Sequence, residues 1–402
     1  MNPAIRALFP GASEQAYFDI SARALVPEPV RAAVADHLRT RMLRGGDKDD
    51  MRAVVERTRR LFAALIGADA HEVAITKNVS EGLNLFGASL PWEAGDNVVL
   101  CPVLEHPNNI YLWHNFARVH GIEVRSVAPV DGHISVDAMG AAMDERTRLV
   151  TIPSISFAPG FITDVRGIAA AARRVGALTL VDAAQSVGAL QTDVRDLGID
   201  ALAVATQKCL LAEYGFGFLY VRREVADTLV PVHLARFGVE IDGHETAYDD
   251  GELRYRPGAL RFDVGNYNYL GAAAAGAALE LLEHWRVGPV EAYVRRLAAD
   301  LAGGLHALGL PVIGAAPGPH LAHIVCVGPG VGGRHYGAGS QEMQSLHDHL
   351  TASGIRLAVR SGALRFSVGV YNNEEDVERV VEAAREWCAR VGRESTLARY
   401  SG

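Results

Sequence analysis

The chain has 402 residues, of which 49% are hydrophobic and 21% charged, with a formal net charge of −8. These values are typical of a globular protein with a main and a smaller domain, and they exclude a basic nucleic-acid-binding surface and any apolar run long enough to span a membrane. The four cysteines are scattered without a CxxC pair, which predicts a cytoplasmic protein with reduced thiols and no metal site.

Short strands and helices alternate along the first 221 residues. Strands are predicted at 17–20, 73–76, 97–101, 122–127, 149–152, 177–181, 201–205 and 216–221. Helices are predicted at 27–38, 50–65, 110–120, 136–142 and 165–175, and another opens within 77–84. This alternation predicts an α/β fold with a doubly wound, mostly parallel sheet, whose ligand lies at the carboxyl ends of the strands.

The pattern changes in the last third of the chain. Helices at 271–284 and 290–308 follow a polar surface stretch at 231–257, and a loop rich in glycine and proline occupies 317–339. Strands are predicted at 311–313, 323–327, 356–359 and 364–367, with helices at 341–353 and 374–391. This predicts a small α+β domain over 285–402, joined by an N-terminal segment, 1–30, and a large domain over 31–284.

One lysine stands between two predicted buried strands. Lys208 follows the apolar run 201–205, and Asp182 ends the strand before it. A surface lysine is the ordinary alternative. A lysine and an acid at neighbouring strand ends, however, are the pair that pyridoxal 5′-phosphate (PLP) requires, because the lysine holds the aldehyde as a Schiff base and the acid keeps the pyridine nitrogen protonated. The predicted catalytic residues are therefore Lys208 and Asp182.

Two further strand ends carry candidate cofactor ligands. After strand 73–76, either Asn78 or Ser80 caps a helix, and both a plain cap and a phosphate site fit the sequence. After strand 97–101, His106 either stacks on a flat ring or serves as an ordinary loop histidine. Ser80, His106, Asp182 and Lys208 all fall at predicted strand ends, and this coincidence favours one shared site.

Five segments in the same order resemble the fold-type I PLP enzymes of the class V aminotransferase family, with group II cysteine desulfurases and isopenicillin N epimerase-like enzymes as the most similar groups. They are Ser-Glu-Gly-Leu-Asn at 80–84, Glu-His at 105–106, Val-Asp-Ala-Ala-Gln at 181–185, the lysine at 208, and Leu-Arg-Phe-Ser at 364–367. The resemblance covers nearly the whole chain. It implies an aspartate aminotransferase-like fold with a seven-stranded, mostly parallel sheet.

The resemblance also implies roles for individual residues. Catalytic roles fall to Lys208, Asp182 and the ring-stacking His106. The implied cofactor-binding residues are Val79, Ser80, His106, Asp182, Gln185, Thr206, Gln207, Lys208 and Asn266. The implied substrate-binding residues are Arg365, as the carboxylate clamp, with Arg360 and Phe157. The pair Gly265–Asn266 matches an element that the neighbouring subunit supplies, which predicts a homodimer; a simple turn is the alternative.

The departures from the resemblance bear on the reaction. The desulfurases carry a loop with a nucleophilic cysteine before the carboxylate arginine, whereas here Arg360 runs through Ser361–Gly362 directly towards Arg365. Their histidine before the lysine is Gln207, and an asparagine on their substrate side is Phe157. Persulfide chemistry needs a placed thiolate. Ordinary desulfurase activity is therefore not expected.

The predicted function is that of a PLP-dependent enzyme acting on an L-α-amino acid. Lys208 takes the α-proton, and elimination of a β-substituent with cleavage of a C–S bond in a cysteine-derived substrate is the first hypothesis. Transamination and epimerisation are alternatives within the family. A binding protein without turnover is the alternative outside enzymes, and the intact Lys208 argues against it.

Overall fold

The structure, a computed structural model, describes residues 3–240, 253–314, 317–329 and 337–400. The predicted surface stretch 231–257 and the predicted loop 317–339 therefore lie partly outside the described residues. No helix in the described ranges is both long enough and apolar enough for a bilayer span.

The α-helices, in chain order, are α1 (Pro3–Arg6), α2 (Gly11–Glu14), α3 (Glu28–Arg44), α4 (Lys48–Leu65), α5 (Val79–Ser89), α6 (Asn108–His120), α7 (Val136–Ala141), α8 (Val165–Arg174), α9 (Val194–Leu197), α10 (Arg223–Ala226), α11 (Tyr269–Trp285), α12 (Val287–Ala307), α13 (Gln341–Ala352) and α14 (Glu374–Tyr400). Short 3₁₀ helices occupy Ala70–Glu72, Pro102–Leu104, Arg236–Gly238 and Gly258–Phe262.

The strands are β1 (Ala16–Tyr17), β2 (Val73–Thr76), β3 (Asn97–Leu100), β4 (Glu123–Ser126), β5 (Thr147–Pro153), β6 (Leu178–Asp182), β7 (Ala201–Ala205), β8 (Gly217–Val221), β9 (Ile324–Val327), β10 (Ile355–Arg356), β11 (Ala358–Arg360) and β12 (Ala363–Ser367).

The chain divides into two compact units. The larger comprises Val26–Ile155 and Thr163–Val287, and the smaller comprises Met1–Leu25, Ser156–Ile162 and Gly288–Gly402. These limits differ by a few residues from the domain boundaries predicted at 30/31 and 284/285. They also assign Ser156–Ile162 to the smaller unit, whereas the sequence-based division placed that segment in the large domain.

The larger unit is built on a seven-stranded sheet with the order β2-β8-β7-β6-β5-β3-β4. The neighbours from β7 through β6, β5 and β3 to β4 pair in parallel, and only β8 runs against the others. This confirms the predicted α/β fold. Buried Val, Ile, Leu and Ala side chains fill the central strands, as a parallel sheet covered by helices on both faces requires.

Helix α5 packs closely on the sheet because its interface carries a glycine. A Cβ added at Gly82 would lie 3.1 Å from the Cβ of Ala203 on β7. The close approach fixes the helix against the strand that leads towards Lys208.

The smaller unit contains an antiparallel sheet, β11-β12-β9, and a parallel pair, β1-β10. The strand predicted at 356–359 is divided, since β10 pairs with β1 whereas β11 pairs with β12. The strand predicted at 311–313 is wrong: Val312 forms only an isolated bridge with Val327, and Pro311 has no N–H to extend the ladder.

Candidate active site

The N-terminus of α5 lies directly after edge strand β2. Asn78 is the cap, because its side-chain oxygen accepts the N–H of Glu81 at 2.9 Å. The N–H groups of Val79 and Ser80 precede the first intrahelical hydrogen bonds and point out of the helix end, where the dipole attracts anions. The Ser80 hydroxyl accepts a hydrogen bond of 2.8 Å from Asn108 Nδ2. This bond joins the start of α5 to the first residue of α6, just after the loop that follows β3.

His106 lies in that loop and is half-buried. The backbone N–H of Asn108 donates to His106 Nδ1 at 3.2 Å, and the N–H of His106 donates to Glu105 Oε1 at 3.0 Å. Because Asn108 contacts both His106 and Ser80, the structure brings the predicted ring-stacking and phosphate-binding residues together. No role was predicted for Asn108, and its position two residues after His106 is the one sequence feature that could have indicated it.

Glu105 is a buried acid that the sequence analysis left without a role. Its Oε2 accepts a hydrogen bond of 2.8 Å from Asn109 Nδ2, and Asn109 Oδ1 accepts one of 3.0 Å from Trp113 Nε1. Burial, and then the charge of Asp182, raise the pKa of Glu105 well above its ordinary range. These two effects favour the neutral form of Glu105 beside Asp182.

Asp182 ends β6 with only 7% of its surface exposed. Its Oδ1 accepts the N–H of Ala184 at 2.9 Å. Burial raises the pKa of the Asp182 carboxyl, and the charge of Lys208 and the bond from Ala184 act in the opposite direction. The structure therefore places the predicted acid and the predicted lysine within electrostatic reach of each other at neighbouring strand ends.

Lys208 lies in a tight turn after β7. The N–H of Leu211 donates to the Lys208 carbonyl at 2.8 Å, and Leu211 adopts a φ of 60°, which is costly for a residue with a branched side chain. Leu211 itself is buried. Packing of this side chain holds the strained turn that presents Lys208.

Thr206 and Gln207 precede the lysine. The Thr206 hydroxyl contacts the backbone carbonyls of Glu213 at 2.6 Å and Phe216 at 3.1 Å, so this group closes the turn within the chain. Gln207 is half-buried. Cofactor binding by either residue stays a prediction.

The loop after β6 packs on the turn after β7. Gly188 has a φ of 97°, and a Cβ there would lie 2.3 Å from the carbonyl oxygen of Cys209, so only glycine fits. The Cys209 thiol lies 3.8 Å from the carbonyl oxygen of Gln185. Gln185 therefore lies beside the lysine turn, as its predicted role requires.

None of the four thiols favours a thiolate. Burial raises the pKa of Cys209 to about 12, against the opposing charge of Lys208, and raises that of Cys326 to about 12. Burial also raises the pKa values of Cys101 and Cys388. Protonated thiols are weak nucleophiles, so the chain offers no activated cysteine.

The predicted substrate-binding residues lie in the smaller unit. Arg365, on β12, is completely buried, and its Nη1 donates to the Phe157 carbonyl at 3.2 Å. Arg360 ends β11, and its Nη1 donates to its neighbour's carbonyl. A two-residue turn, Ser361 with φ 50° and Gly362 with φ 86°, joins β11 to β12. This tight hairpin leaves no cysteine loop between the two arginines.

Asn266 lies in the exposed segment between the last 3₁₀ helix and α11. Its side chain makes no hydrogen bond with any residue that the structure describes. Binding of a neighbouring subunit's phosphate by Asn266 remains a prediction.

The larger unit fits PLP on its own residues. It combines a buried acid, a lysine whose charge interacts with that acid, a half-buried histidine, and a helix end with outward N–H groups tied to the histidine loop. These are the groups that a protonated pyridine ring, an aldehyde and a phosphate require.

Comparison with known proteins agrees with this fit. The family model of class-V aminotransferases matches residues 16–380. The chain is 29% identical to an uncharacterized aminotransferase, YcbU, of Bacillus subtilis (strain 168), over 94% of this chain and 95% of the relative. It is 31% identical to a probable cysteine desulfurase of Mycobacterium leprae (strain TN), over 97% of each.

A solved structure shows the same fold. The apo structure of a cysteine desulfurase from Thermococcus onnurineus NA1 superposes with a TM-score of 0.83 and 26% identity, covering 96% of this chain and 98% of that one. The chain belongs to the class-V aminotransferase family. It is a PLP-dependent enzyme, as the sequence predicted.

Proposed function

We propose that this enzyme cleaves a C–S bond by β-elimination from a cysteine-derived L-α-amino acid and releases the sulfur to solution. The observation that carries the proposal is the combination of Lys208 beside Asp182 with four thiols that all favour the protonated state. The first feature supports removal of an α-proton, and the second argues against transfer of sulfur to a protein cysteine.

The cofactor-binding residues act by position. The N–H groups of Val79 and Ser80 would bind the phosphate of PLP, His106 would contact its ring, and Asp182 would keep its pyridine nitrogen protonated. PLP, when bound, supplies the electron sink for charge that develops at the substrate α-carbon. Gln207, in the position before the lysine, donates a hydrogen bond but does not shuttle a proton.

Lys208 and Arg365 act on the substrate. Arg365 binds the α-carboxylate, with Arg360 and Phe157 on the same side, and Lys208 Nζ accepts the α-proton. The C–S bond then breaks with its electron pair on sulfur, which leaves as a thiol after protonation. Hydrolysis of the remaining three-carbon fragment yields ammonia and a 2-oxo acid.

The test is an assay of the holoenzyme with L-cystine, S-methyl-L-cysteine and L-cysteine. We expect a sulfur product (cysteine persulfide from L-cystine, methanethiol from S-methyl-L-cysteine, hydrogen sulfide from L-cysteine), ammonia and 2-oxo acid in equal amounts. Lys208→Ala should lose about a thousandfold or more of this activity. Lys48→Ala, at the start of α4, is the matched control and should retain activity and fold.

The alternatives give different products. Transamination requires an added 2-oxo acid and releases no ammonia, and epimerisation yields the D-amino acid without either product. Either pattern, or a persulfide on any cysteine of the chain, would contradict the proposal.

The assembly and location are part of the same proposal. The working unit is a homodimer in which Asn266 reaches the partner's phosphate; exposure of Asn266 without an internal hydrogen-bond partner among the described residues supports this. The four cysteines form no disulfide among the described residues, which supports a cytoplasmic location.

A further inference from the structure

The guanidinium of Arg365 is completely buried in the smaller unit. Arg365 lies on β12 directly opposite Cys326 of β9. A buried cation is costly unless neighbouring groups compensate for the lost water. The groups that contact the Arg365 guanidinium therefore determine how strongly its orientation is restrained.

Phe157 contacts this guanidinium in two ways. Its carbonyl accepts the hydrogen bond of 3.2 Å from Nη1, and the centre of its ring lies 5.2 Å from the central carbon of the guanidinium. The hydrogen bond and the contact with the ring both restrain the orientation of the guanidinium.

The other titratable groups around Arg365 differ in charge. Burial, and then the charge of Arg365, lower the pKa of His323 to about 3, so this imidazole is neutral at pH 7. Burial keeps Cys326 protonated. Burial raises the pKa of Asp19, and Arg365 is the foremost of the arginines that lower it. Of these three neighbours, only the Asp19 carboxyl can carry a charge opposite to that of Arg365.

The segment that carries Phe157 is itself held in place. Ser156 Oγ accepts the N–H groups of Gly160 at 3.1 Å and Phe161 at 3.0 Å, and the Ser156 N–H donates to the Phe161 carbonyl at 2.9 Å. The N–H of Ile162 donates to the His320 carbonyl at 2.9 Å. These hydrogen bonds restrain the backbone of the segment Ser156–Ile162 and therefore the position of Phe157.

We propose that Phe157 is a positioning residue, which sets the plane of the Arg365 guanidinium and thereby the affinity for the α-carboxylate of the substrate. The inference rests on the proposed role of Arg365. Bidentate binding of a carboxylate depends on that plane, because both pairs of N–H and oxygen atoms must be coplanar. Because the ring supplies part of the restraint, a non-aromatic residue at position 157, which keeps only the backbone carbonyl, does not replace Phe157.

The experiment compares Phe157→Leu with Phe157→Tyr. Both keep the carbonyl, but only tyrosine keeps the ring. We expect Phe157→Leu to weaken the binding of L-alanine to the holoenzyme, measured by titration calorimetry, by about tenfold. Phe157→Tyr should restore binding to within about twofold of the wild type. Tyr293→Leu, which removes a ring over Arg296 in the same unit, is the control and should not change the binding.

Kinetics supply a second readout. With the sulfur substrate that the wild type uses, Phe157→Leu should raise KM by about tenfold and leave kcat within about twofold, because the proton transfer at Lys208 is unchanged. Combined with Arg365→Lys, Phe157→Leu should add little further loss, since both changes act on one interaction.

Failure of the two proposals is distinguishable. If the wild type binds L-alanine but eliminates nothing from any sulfur amino acid, the proposed reaction is wrong. The calorimetric comparison of L-alanine binding then still tests the role of Phe157. Equal L-alanine affinity in the wild type and Phe157→Leu, no affinity in the wild type, or an equal loss in Phe157→Leu and Phe157→Tyr would overturn the role of the Phe157 ring.

Discussion

The buried acid at the end of β6 is the residue on which the electrostatics of the candidate site depend. Asp182 is buried, and only the charge of Lys208 and one backbone N–H oppose the rise of its pKa. Burial and then the charge of Asp182 raise the pKa of its neighbour Glu105 as well. We propose that the two acids divide the roles, with Asp182, on which the charge of Lys208 opposes the rise in pKa, as the acid that holds a charge for a bound cation.

Replacement of Asp182 by asparagine tests that division. Asp182→Asn keeps the shape but removes the negative charge behind the pyridine nitrogen. We expect kcat to fall by about a hundredfold or more, because a buried charge pair contributes several kcal/mol. Steady-state kinetics at saturating PLP measure the effect. A wild-type rate would remove Asp182 from the role of pyridine partner.

A buried histidine predicts a pH dependence of stability. The pKa of His323 is about 3 in the folded chain, because burial and Arg365 disfavour its charge, and about 6.5 when the chain is unfolded. The unfolded state therefore binds more protons between these values, and stability falls as the pH falls below about 6.5.

The measurement is urea unfolding of the wild type and His323→Gln at pH 8 and pH 5. The wild type should lose about 2 kcal/mol more than the variant between the two values, since only the wild type has an imidazole to protonate on unfolding. The comparison cancels the acids common to both proteins. An equal pH dependence in both would show that His323 is accessible to protons in the folded state.

Among the secondary-structure elements, edge strand β2 has an unusual partner. Among the strands of the described ranges, β2 pairs only with β8. On its outer side the N–H of Ile75 donates to Asp263 Oδ1 at 2.9 Å, and Arg59 donates to the carbonyl of Val73. Arg59 Nη2 and Asp263 Oδ2 form an ion pair of 2.8 Å with no exposed surface. Two charged side chains thus cover the edge that leads to the candidate phosphate site.

Breaking this pair should destabilise the larger unit. Asp263→Asn removes the fully buried one of the two carboxylates that pair with Arg59 and leaves only the partly exposed Glu56, so we expect a loss of about 3 kcal/mol in the free energy of unfolding. Asp300→Asn is the matched control, because Asp300 pairs with Arg296 at the surface and should cost less than about 1 kcal/mol. Thermal and urea unfolding measure both variants. An equal loss of stability in Asp263→Asn and Asp300→Asn would contradict the special role of the buried pair.

The elements also show what the sequence could predict. Strands β2 and β7 were predicted residue for residue, because short apolar runs bounded by polar residues are typical of buried strands. Helix α3 was predicted to end at 38 but continues to Arg44, since its last turns are exposed and carry no apolar period; Gly45, with φ 74°, ends it.

The site was predictable where one strand end determines it and not where distant segments meet. Strand ends gave Ser80, His106, Asp182 and Lys208. The bond from Asn108 to Ser80 and the contact of Phe157 with Arg365 join residues 28 and 208 positions apart. Such contacts depend on the packed fold, and no local period reports them.

For the whole molecule, the proposal of a shared active site rests on the segment around Asn266. Asn266 is exposed and forms no hydrogen bond with a described residue, whereas Asp263, three residues earlier, is anchored by Arg59. A segment that is anchored at Asp263 and exposes the side chain of Asn266 is suited to contact another molecule. Exposed Val264 and Leu270 on either side of Asn266 add apolar surface for such a contact.

Mixing two inactive variants tests whether the site is shared. Lys208→Ala removes the proton acceptor, and Asn266→Asp places a negative charge where the partner's phosphate is expected. If Asn266 acts in the neighbouring site, a mixed dimer has one site with both lesions and one with neither. Random reassociation makes half of the dimers mixed, so about a quarter of the wild-type activity should return. Activity after denaturation and joint refolding, with the oligomeric state from light scattering, measures this.

The control mixture separates shared sites from other effects of mixing. Lys208→Ala and Asp182→Asn damage the same site from the same chain, so each site of their mixed dimer carries one lesion and activity should not return. Recovery in both mixtures would point to exchange or refolding artefacts. No recovery with Asn266→Asp, or a monomer at the assay concentration, would place Asn266 outside the site. Helix α11, which follows Asn266, would then need no partner subunit, because its contacts with α3 and α4 already bury its alanine-rich face.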